Sequence, residues 1–206
     1  MRLRIDLKIF IFLIVFYFTK QIEIYSIIMI FAIIHEMGHM LMGILLGLQA
    51  EKVEIMPFGV AVSFKVKLDD YNEKIKNARK VELKKIAIAT AGPLTNLILI
   101  LIFLYLPNIN IEFVYANLLI MLFNLIPIFP LDGGRILKSI IQIFKGYKTA
   151  ITYTNKISNI VLLIITTLSS IAIMYYKNIA IFLIIMFLWR MVIKENIKFE
   201  KMIEIL

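Results

Sequence analysis

The sequence predicts an all-α polytopic membrane protein of about six transmembrane helices, with a small membrane-associated β-hairpin after the second helix. Of its 206 residues, 61% are hydrophobic, which exceeds the usual share in a soluble domain. A spanning helix needs about 20 apolar residues. Six apolar runs lie roughly at 3–19, 24–48, 86–106, 113–131, 157–176 and 179–193, and the first and sixth are interrupted by charges. We expect one membrane-embedded domain over 1–206.

The distribution of basic residues predicts the topology. The net charge is +9, and all Lys and Arg residues except Lys20 and Lys177 fall in four segments: the N-terminus, 49–85, 132–156 and the end from Arg190. Short loops rich in Lys and Arg remain cytosolic, so both termini are expected in the cytosol. A nucleic-acid-binding surface would not alternate with helix number. We therefore expect no nucleic-acid partner.

The second apolar run contains the segment His35-Glu36-Met37-Gly38-His39, which includes both histidines of the chain. On a helix, this spacing puts two imidazoles on one face, where they can hold zinc, with the glutamate available as a general base. Ionisable groups inside a membrane span are costly and indicate a functional site. The alternative is a pair of buried histidines hydrogen-bonded to neighbouring helices. The chain has no cysteine, so any further zinc ligand must be a carboxylate.

Asp132 is the candidate third ligand, because few other acids lie outside the solvated loops. Pro127 and Pro130 are expected to stop or kink the fourth span, and Gly133-Gly134 permit a sharp turn that aims the carboxylate inward. The second and fourth spans run in the same direction, so both approach the cytosolic third of the membrane. The alternative is that Asp-Gly-Gly forms an ordinary surface turn.

These residues suggest a hydrolytic mechanism. Bound zinc supplies an activated water and polarises a scissile carbonyl, and Glu36 is expected to accept the water proton and deliver it to the leaving amine. Asn124 lies within the fourth span, where an unpartnered amide is expensive. It is expected either to bond the substrate or developing oxyanion, or to tie helices together.

Two further segments flank this candidate site. Residues 51–67 alternate around Pro57-Phe58-Gly59, which predicts two strands and a turn; the hairpin either pairs with an extended substrate or is purely structural. At the head of the third span, Ala91 and Gly92 predict close helix packing. Asn96 is expected to hydrogen-bond across helices.

Three motifs together resemble the site-2 protease family of intramembrane zinc metalloproteases, peptidase family M50. The segment 35–39 matches H-E-x-G-H, 91–96 matches A-G-P-x-x-N, and 124–134 matches N-x-x-P-x-x-P-L-D-G-G. The resemblance covers the family's catalytic core, about 24–135 here. It implies Glu36 as the catalytic residue and a zinc site of His35, His39 and Asp132. The predicted substrate contacts are Asn124, Pro130 and Phe58.

Within the family, the six-span layout, the missing PDZ insertion and the turn at 56–59 look most like members that act in sporulation. This likeness implies a membrane-associated pro-protein substrate, a sporulation sigma factor precursor, cut near the cytosolic face. It also implies the mother-cell membrane around the forespore as the location, and inhibitory membrane proteins as partners. About 13 residues follow Ile193, so no CBS domain is expected and its regulation by ATP is not carried over.

Other functions use the same residues. One is a membrane metal-handling or transport protein, although such proteins usually contain internal repeats and none is visible here. Another is a site-2 protease relative that cuts a membrane-tethered anti-sigma factor or other regulator. A third is a proteolytically inactive relative that acts as a scaffold.

Overall fold

The structure is a computed structural model that describes residues 2–5, 14, 16–18, 20–56, 59–65, 76–176 and 179–204. The chain forms two compact units, Met1–Asn124 and Leu125–Leu206. The elements of the first unit are β1 (Arg2–Ile5), α1 (Ile22–Leu45), β2 (Gln49–Met56), β3 (Gly59–Lys65), α2 (Lys76–Tyr105) and α3 (Ile111–Leu125), which ends at the boundary. The second unit contains α4 (Asp132–Lys145), α5 (Tyr147–Tyr176) and α6 (Ile179–Glu204).

The strands of the first unit form a three-stranded sheet in the order β1-β2-β3. β1 runs parallel to β2, with Leu3 opposite Val53, whereas β3 runs antiparallel to β2, with Val62 opposite Val53. Met56 pairs with Gly59 at the end of the antiparallel ladder. The turn residues between them, which include Phe58, lie outside the described part of the chain.

Small side chains bring α1 and α2 together. A Cβ added to Gly38 of α1 would overlap the Thr95 side chain and approach the Ala91 carbonyl oxygen to 3.0 Å, both on α2. Glycine at this position therefore allows the two backbones to approach closely, as in other membrane helix pairs. This contact sets the depth at which the residues of α1 face those of α2.

Aromatic rings hold α3 against the same pair of helices. Phe31 of α1 meets Phe103 of α2 and Phe113 of α3 edge-to-face, with ring centroids 5.7 and 5.5 Å away. Ala116 and Ile120 of α3 belong to the same buried cluster as Phe31. Edge-to-face pairs add stability beyond their buried area, by about 1 kcal/mol each, so the three helices are fixed relative to one another.

The second unit is also built around buried apolar side chains. Ile151 and Leu162 of α5, and Leu188 of α6, are almost completely inaccessible to solvent. The Trp189 indole N–H donates to Thr166 Oγ1 at 3.0 Å and links α6 to α5. α4 packs along α5.

The predicted fold class is wrong in two respects. Within the described residues, three helices are long and apolar enough to cross a membrane, instead of about six: Ile22–Leu45, Ala78–Tyr105 and Tyr147–Tyr175. The fold is also not all-α with an isolated two-stranded hairpin, because the strand β1, where the first predicted span begins, completes a three-stranded sheet.

The fourth apolar run shows one physical reason for the smaller number of spans. It forms the 15-residue helix α3, which ends before Pro127, and about 15 residues rise only about 22 Å. The residues that follow bend into a turn and then into α4. Apolar composition alone therefore overestimated the length of this helix.

Candidate metal centre

α1 brings His35 and His39 together, one helical turn apart. Their rings lie edge-to-face with centroids 4.7 Å apart, and their residues are 2% and 3% exposed. Two imidazoles buried this deeply lose their hydration. Their nitrogens must therefore find partners inside the protein.

Both Nδ1 atoms point towards oxygen acceptors on α2. His35 Nδ1 donates to Asn96 Oδ1, and His39 Nδ1 donates to the Ile88 carbonyl oxygen at 2.6 Å. The Gly92 amide nitrogen also lies 3.3 Å from His39 Nδ1, but a carbonyl oxygen can only accept, so the shorter contact decides the tautomer. Each neutral ring then carries its proton on Nδ1 and leaves a lone pair on Nε2.

The two Nε2 atoms face each other at 3.1 Å. With both protons on Nδ1, each Nε2 can act as an acceptor or a metal ligand and cannot donate. Two nitrogens that bind one tetrahedral zinc at about 2.05 Å are about 3.3 Å apart. The spacing and protonation of the pair therefore fit a shared metal ion. Histidine ligands commonly hold their second nitrogen in this way, through a carbonyl or carboxylate.

Gly92 provides the space for these rings. A Cβ added there would overlap both imidazoles at their Nε2 atoms. The close approach that the sequence predicted for Gly92 is confirmed. Gly92 does more than allow the helices to pack closely, because its missing side chain leaves room for the Nε2 atoms of His35 and His39.

In the second unit, Asp132 is the first residue of α4 and is 4% exposed. The Arg135 guanidinium lies 3.8 Å from its Oδ1, and the positive end of the helix dipole favours a carboxylate at this position. Gly134 presses against the backbone of Ile128 and Phe129, where a Cβ would not fit. Gly133 and Gly134 therefore do not form the sharp turn that the sequence predicted. They lie in the first turn of α4, and the Asp132 carboxylate is buried.

The other predicted site residues are Glu36, Asn124, Pro130 and Phe58. Glu36 is half-buried on α1 between the two histidines. The Asn124 side-chain nitrogen donates to the Ile120 carbonyl oxygen of its own helix at 3.0 Å, and Pro130 is half-buried before α4. Their proposed catalytic and substrate-binding roles remain predictions, as does that of Phe58, which lies outside the described residues.

The sequence reasoning missed Asn117, a completely buried residue of α3 whose Oδ1 accepts from Asn96 Nδ2 at 2.8 Å. The signal was available, since Asn117 is an amide in an apolar run, as Asn124 is. The Ile88 carbonyl was also missed. No sequence pattern marks one backbone carbonyl over the others.

The fold and the buried histidine pair define a helical membrane protein with two side chains arranged for a metal ion. The profile of Peptidase family M50 matches residues 24–111 and 108–168. The chain belongs to this family, and the recognition based on its three motifs is confirmed.

The chain is also similar to individual curated proteins and to a solved structure. The chain is 32% identical over 135 residues to a zinc metalloprotease of Methanocaldococcus jannaschii, covering 60% of this chain and 36% of that protein. It is 27% identical over 126 residues to stage IV sporulation protein FB of Bacillus subtilis, covering 58% and 40%. The matched part thus spans less than half of these curated relatives. The solved site-2 protease from Methanocaldococcus jannaschii has the same fold, with a TM-score of 0.66, 22% identity, and 94% and 89% coverage.

Proposed function

We propose that this protein is a zinc-dependent intramembrane endopeptidase. The observation that carries the proposal is the pair of buried Nε2 atoms 3.1 Å apart, each on a ring whose Nδ1 is occupied. His35, His39 and Asp132 are each buried, and we propose that they hold one metal ion together. Membership in peptidase family M50, and a relative named as a zinc metalloprotease, support zinc as that ion.

The residues of this chain divide the chemistry between them. Zinc would supply Lewis acidity and an activated water. Glu36, which lies between the two histidines in the sequence, would accept a proton from the attacking water and pass it to the leaving amine. The second N–H of the Asn124 amide is available to stabilise the developing oxyanion, and Pro130 and Phe58 contact the substrate.

We propose that the site opens towards the cytosol. The end of α1 and the starts of α2 and α5 adjoin segments rich in Lys and Arg, whereas the opposite ends of these helices adjoin only Lys20 and Lys177. Positive residues are retained on the cytosolic side. His39 lies six residues before the end of α1, about 9 Å from the membrane boundary expected there.

The proposed substrate is a membrane-associated pro-protein that is cut near the cytosolic face. The similarity to stage IV sporulation protein FB favours a sporulation sigma factor precursor, with the enzyme in the mother-cell membrane around the forespore and under the control of inhibitory membrane proteins. A membrane-tethered anti-sigma factor is the alternative substrate, and cleavage assays with both precursors decide between them.

The first test concerns the base. Glu36→Gln keeps the size of the side chain and removes the proton acceptor, so we expect zinc to remain bound while cleavage falls by at least about 100-fold. Cleavage is measured by co-expression with the membrane-tethered precursor. Glu23→Gln, an exposed position on the same helix, is the matched control and should cut normally. Equal cleavage by both variants would exclude Glu36 as the base.

The second test concerns the third ligand. Loss of a group that only hydrogen-bonds to a metal ligand commonly lowers metal affinity about 10- to 100-fold. Asp132→Ala removes a proposed direct ligand, so it should weaken zinc binding by at least about 100-fold. Chelator competition on the purified protein measures this. In the comparison variant Arg135→Gln, which removes the neighbouring guanidinium and leaves the carboxylate, zinc binding should weaken by less than in Asp132→Ala. Full zinc retention by Asp132→Ala would remove this residue from the proposed site.

A further inference from the structure

A chain of buried amides runs from α3 to the first histidine. Asn117 Nδ2 donates to the Phe113 carbonyl oxygen at 2.8 Å, Asn117 Oδ1 accepts from Asn96 Nδ2 at 2.8 Å, and Asn96 Oδ1 accepts from His35 Nδ1. Asn96 and Asn117 are both 0% exposed. Water therefore does not compete for these bonds.

The chain has a fixed direction because it begins at a backbone carbonyl. The Phe113 oxygen can only accept, so the Asn117 amide must present its nitrogen there and its oxygen to Asn96. Asn96 must then present its nitrogen to Asn117 and its oxygen to His35. An oxygen at that point requires the proton of a neutral His35 ring to sit on Nδ1, which leaves the Nε2 lone pair for a metal.

Without Asn117, this direction is lost. An Asn96 amide that turned by 180° would present an N–H to His35 Nδ1 and favour the proton on Nε2. That tautomer cannot bind a metal through Nε2. We propose that Asn117, which touches neither histidine, is a positioning residue that sets the metal-binding tautomer of His35 through Asn96. This inference rests on the proposed zinc site.

The competing explanation is that the two amides only tie the helices together, as buried polar side chains do in membranes. That role would predict a loss of stability with no change at the imidazole. The two explanations therefore differ in the protonation of one nitrogen, which can be measured.

The chain has two histidines, so their 15N spectra can be assigned by comparison with His39→Gln. In zinc-free protein with neutral rings, we expect His35 to carry its proton on Nδ1. Asn117→Leu, and Asn117→Ala as a smaller truncation, should shift His35 towards a mixture of tautomers. Chelator competition should also show that zinc binding is weakened about tenfold, which is the smaller effect commonly seen when a group that supports a metal ligand is lost.

Ile120→Ala is the matched control, because it creates a cavity in the same helix. Ile120 packs with Phe31 and takes no part in the amide chain, so this variant should unfold at a lower temperature with both the tautomer and zinc affinity unchanged. Asn96→Asp gives the second comparison. A carboxylate accepts through either oxygen, so in this background Asn117→Leu should leave the His35 tautomer and zinc affinity unchanged.

The outcomes separate the two proposals. If the unaltered protein binds no zinc, the proposed function fails, whereas the tautomer measurement on zinc-free protein still tests the amide chain. If Asn117→Leu or Asn117→Ala folds with Nδ1 still protonated and zinc affinity intact, the inference is overturned. The inference would also be overturned if Asn117→Leu weakened zinc binding equally in the natural chain and in the Asn96→Asp background. In that case the effect of Asn117 would not depend on the orientation of the Asn96 amide.

Discussion

Gly92 determines whether the two imidazoles can occupy their observed positions. In a helix interior, alanine is normally favoured over glycine by about 1 kcal/mol, so a methyl group at this position should raise helix propensity. Here the same methyl group would overlap the Nε2 atoms of both histidines. Helix propensity therefore favours alanine at this position, whereas the space needed by the two imidazoles requires glycine.

We accordingly expect Gly92→Ala to lower zinc affinity by at least about tenfold, even though the substitution favours the helix. Chelator competition measures the affinity, and circular dichroism measures the helix content. Thr90→Ala changes an exposed side chain two residues away, which bonds only carbonyls of its own helix, and should bind zinc normally. Unchanged zinc affinity in Gly92→Ala would mean that the rings have room that the structure does not show.

Single residues were predictable to different degrees. The spacing of His35 and His39 follows from helical geometry alone, because residues four apart share a face. The partners of their Nδ1 atoms depend on how α2 and α3 pack against α1, which no spacing along the chain reveals. Asn117 is the clearest example: its importance becomes visible when the amide is seen to end a chain that leads to His35.

Among the helices, the break after α3 is the most instructive. The prolines at 127 and 130 predicted that this helix stops or kinks, and it ends at Leu125. The sequence did not predict the 14-residue helix α4 that follows, because its apolar residues are spread between polar ones and formed no continuous run. An amphipathic helix of this kind shows its periodicity only when one face is considered separately.

At the N-terminus, most of the predicted first span lies outside the described residues, so only the start of the run can be compared. The run over 3–19 was apolar enough to suggest a span, although Arg4 and Asp6 interrupt it. The start of this run lies in the strand β1 (Arg2–Ile5), which pairs with β2. Hydropathy does not distinguish a short strand from the start of a helix, whereas the pairing of β1 depends on residues 50 positions further along the chain. Long-range pairing is not encoded in local composition.

For the whole molecule, the positions of the basic residues remain the main guide to its orientation in the membrane. The first long helices, α1 and α2, are joined through β2 and β3, and the segment 49–85 carries nine basic residues. Transfer of so many charges across a bilayer is unfavourable, so we expect this segment to stay in the cytosol. The opposite end of α2 carries no charge between Tyr105 and Ile111.

This orientation gives a direct prediction, because the natural chain contains no cysteine and single-cysteine variants can be labelled without background. Ala78 and Tyr105 lie near the two ends of α2, and both are exposed. They are 27 positions apart, which corresponds to about 40 Å along the helix. When the variants are produced in cells that are not sporulating, a membrane-impermeant maleimide should label Tyr105→Cys in intact cells and leave Ala78→Cys unlabelled. The same reagent should reach Ala78→Cys once the membrane is opened, which controls for reactivity. The reverse pattern in intact cells would place the basic segment outside, and the zinc site would then open to the opposite side from the one proposed.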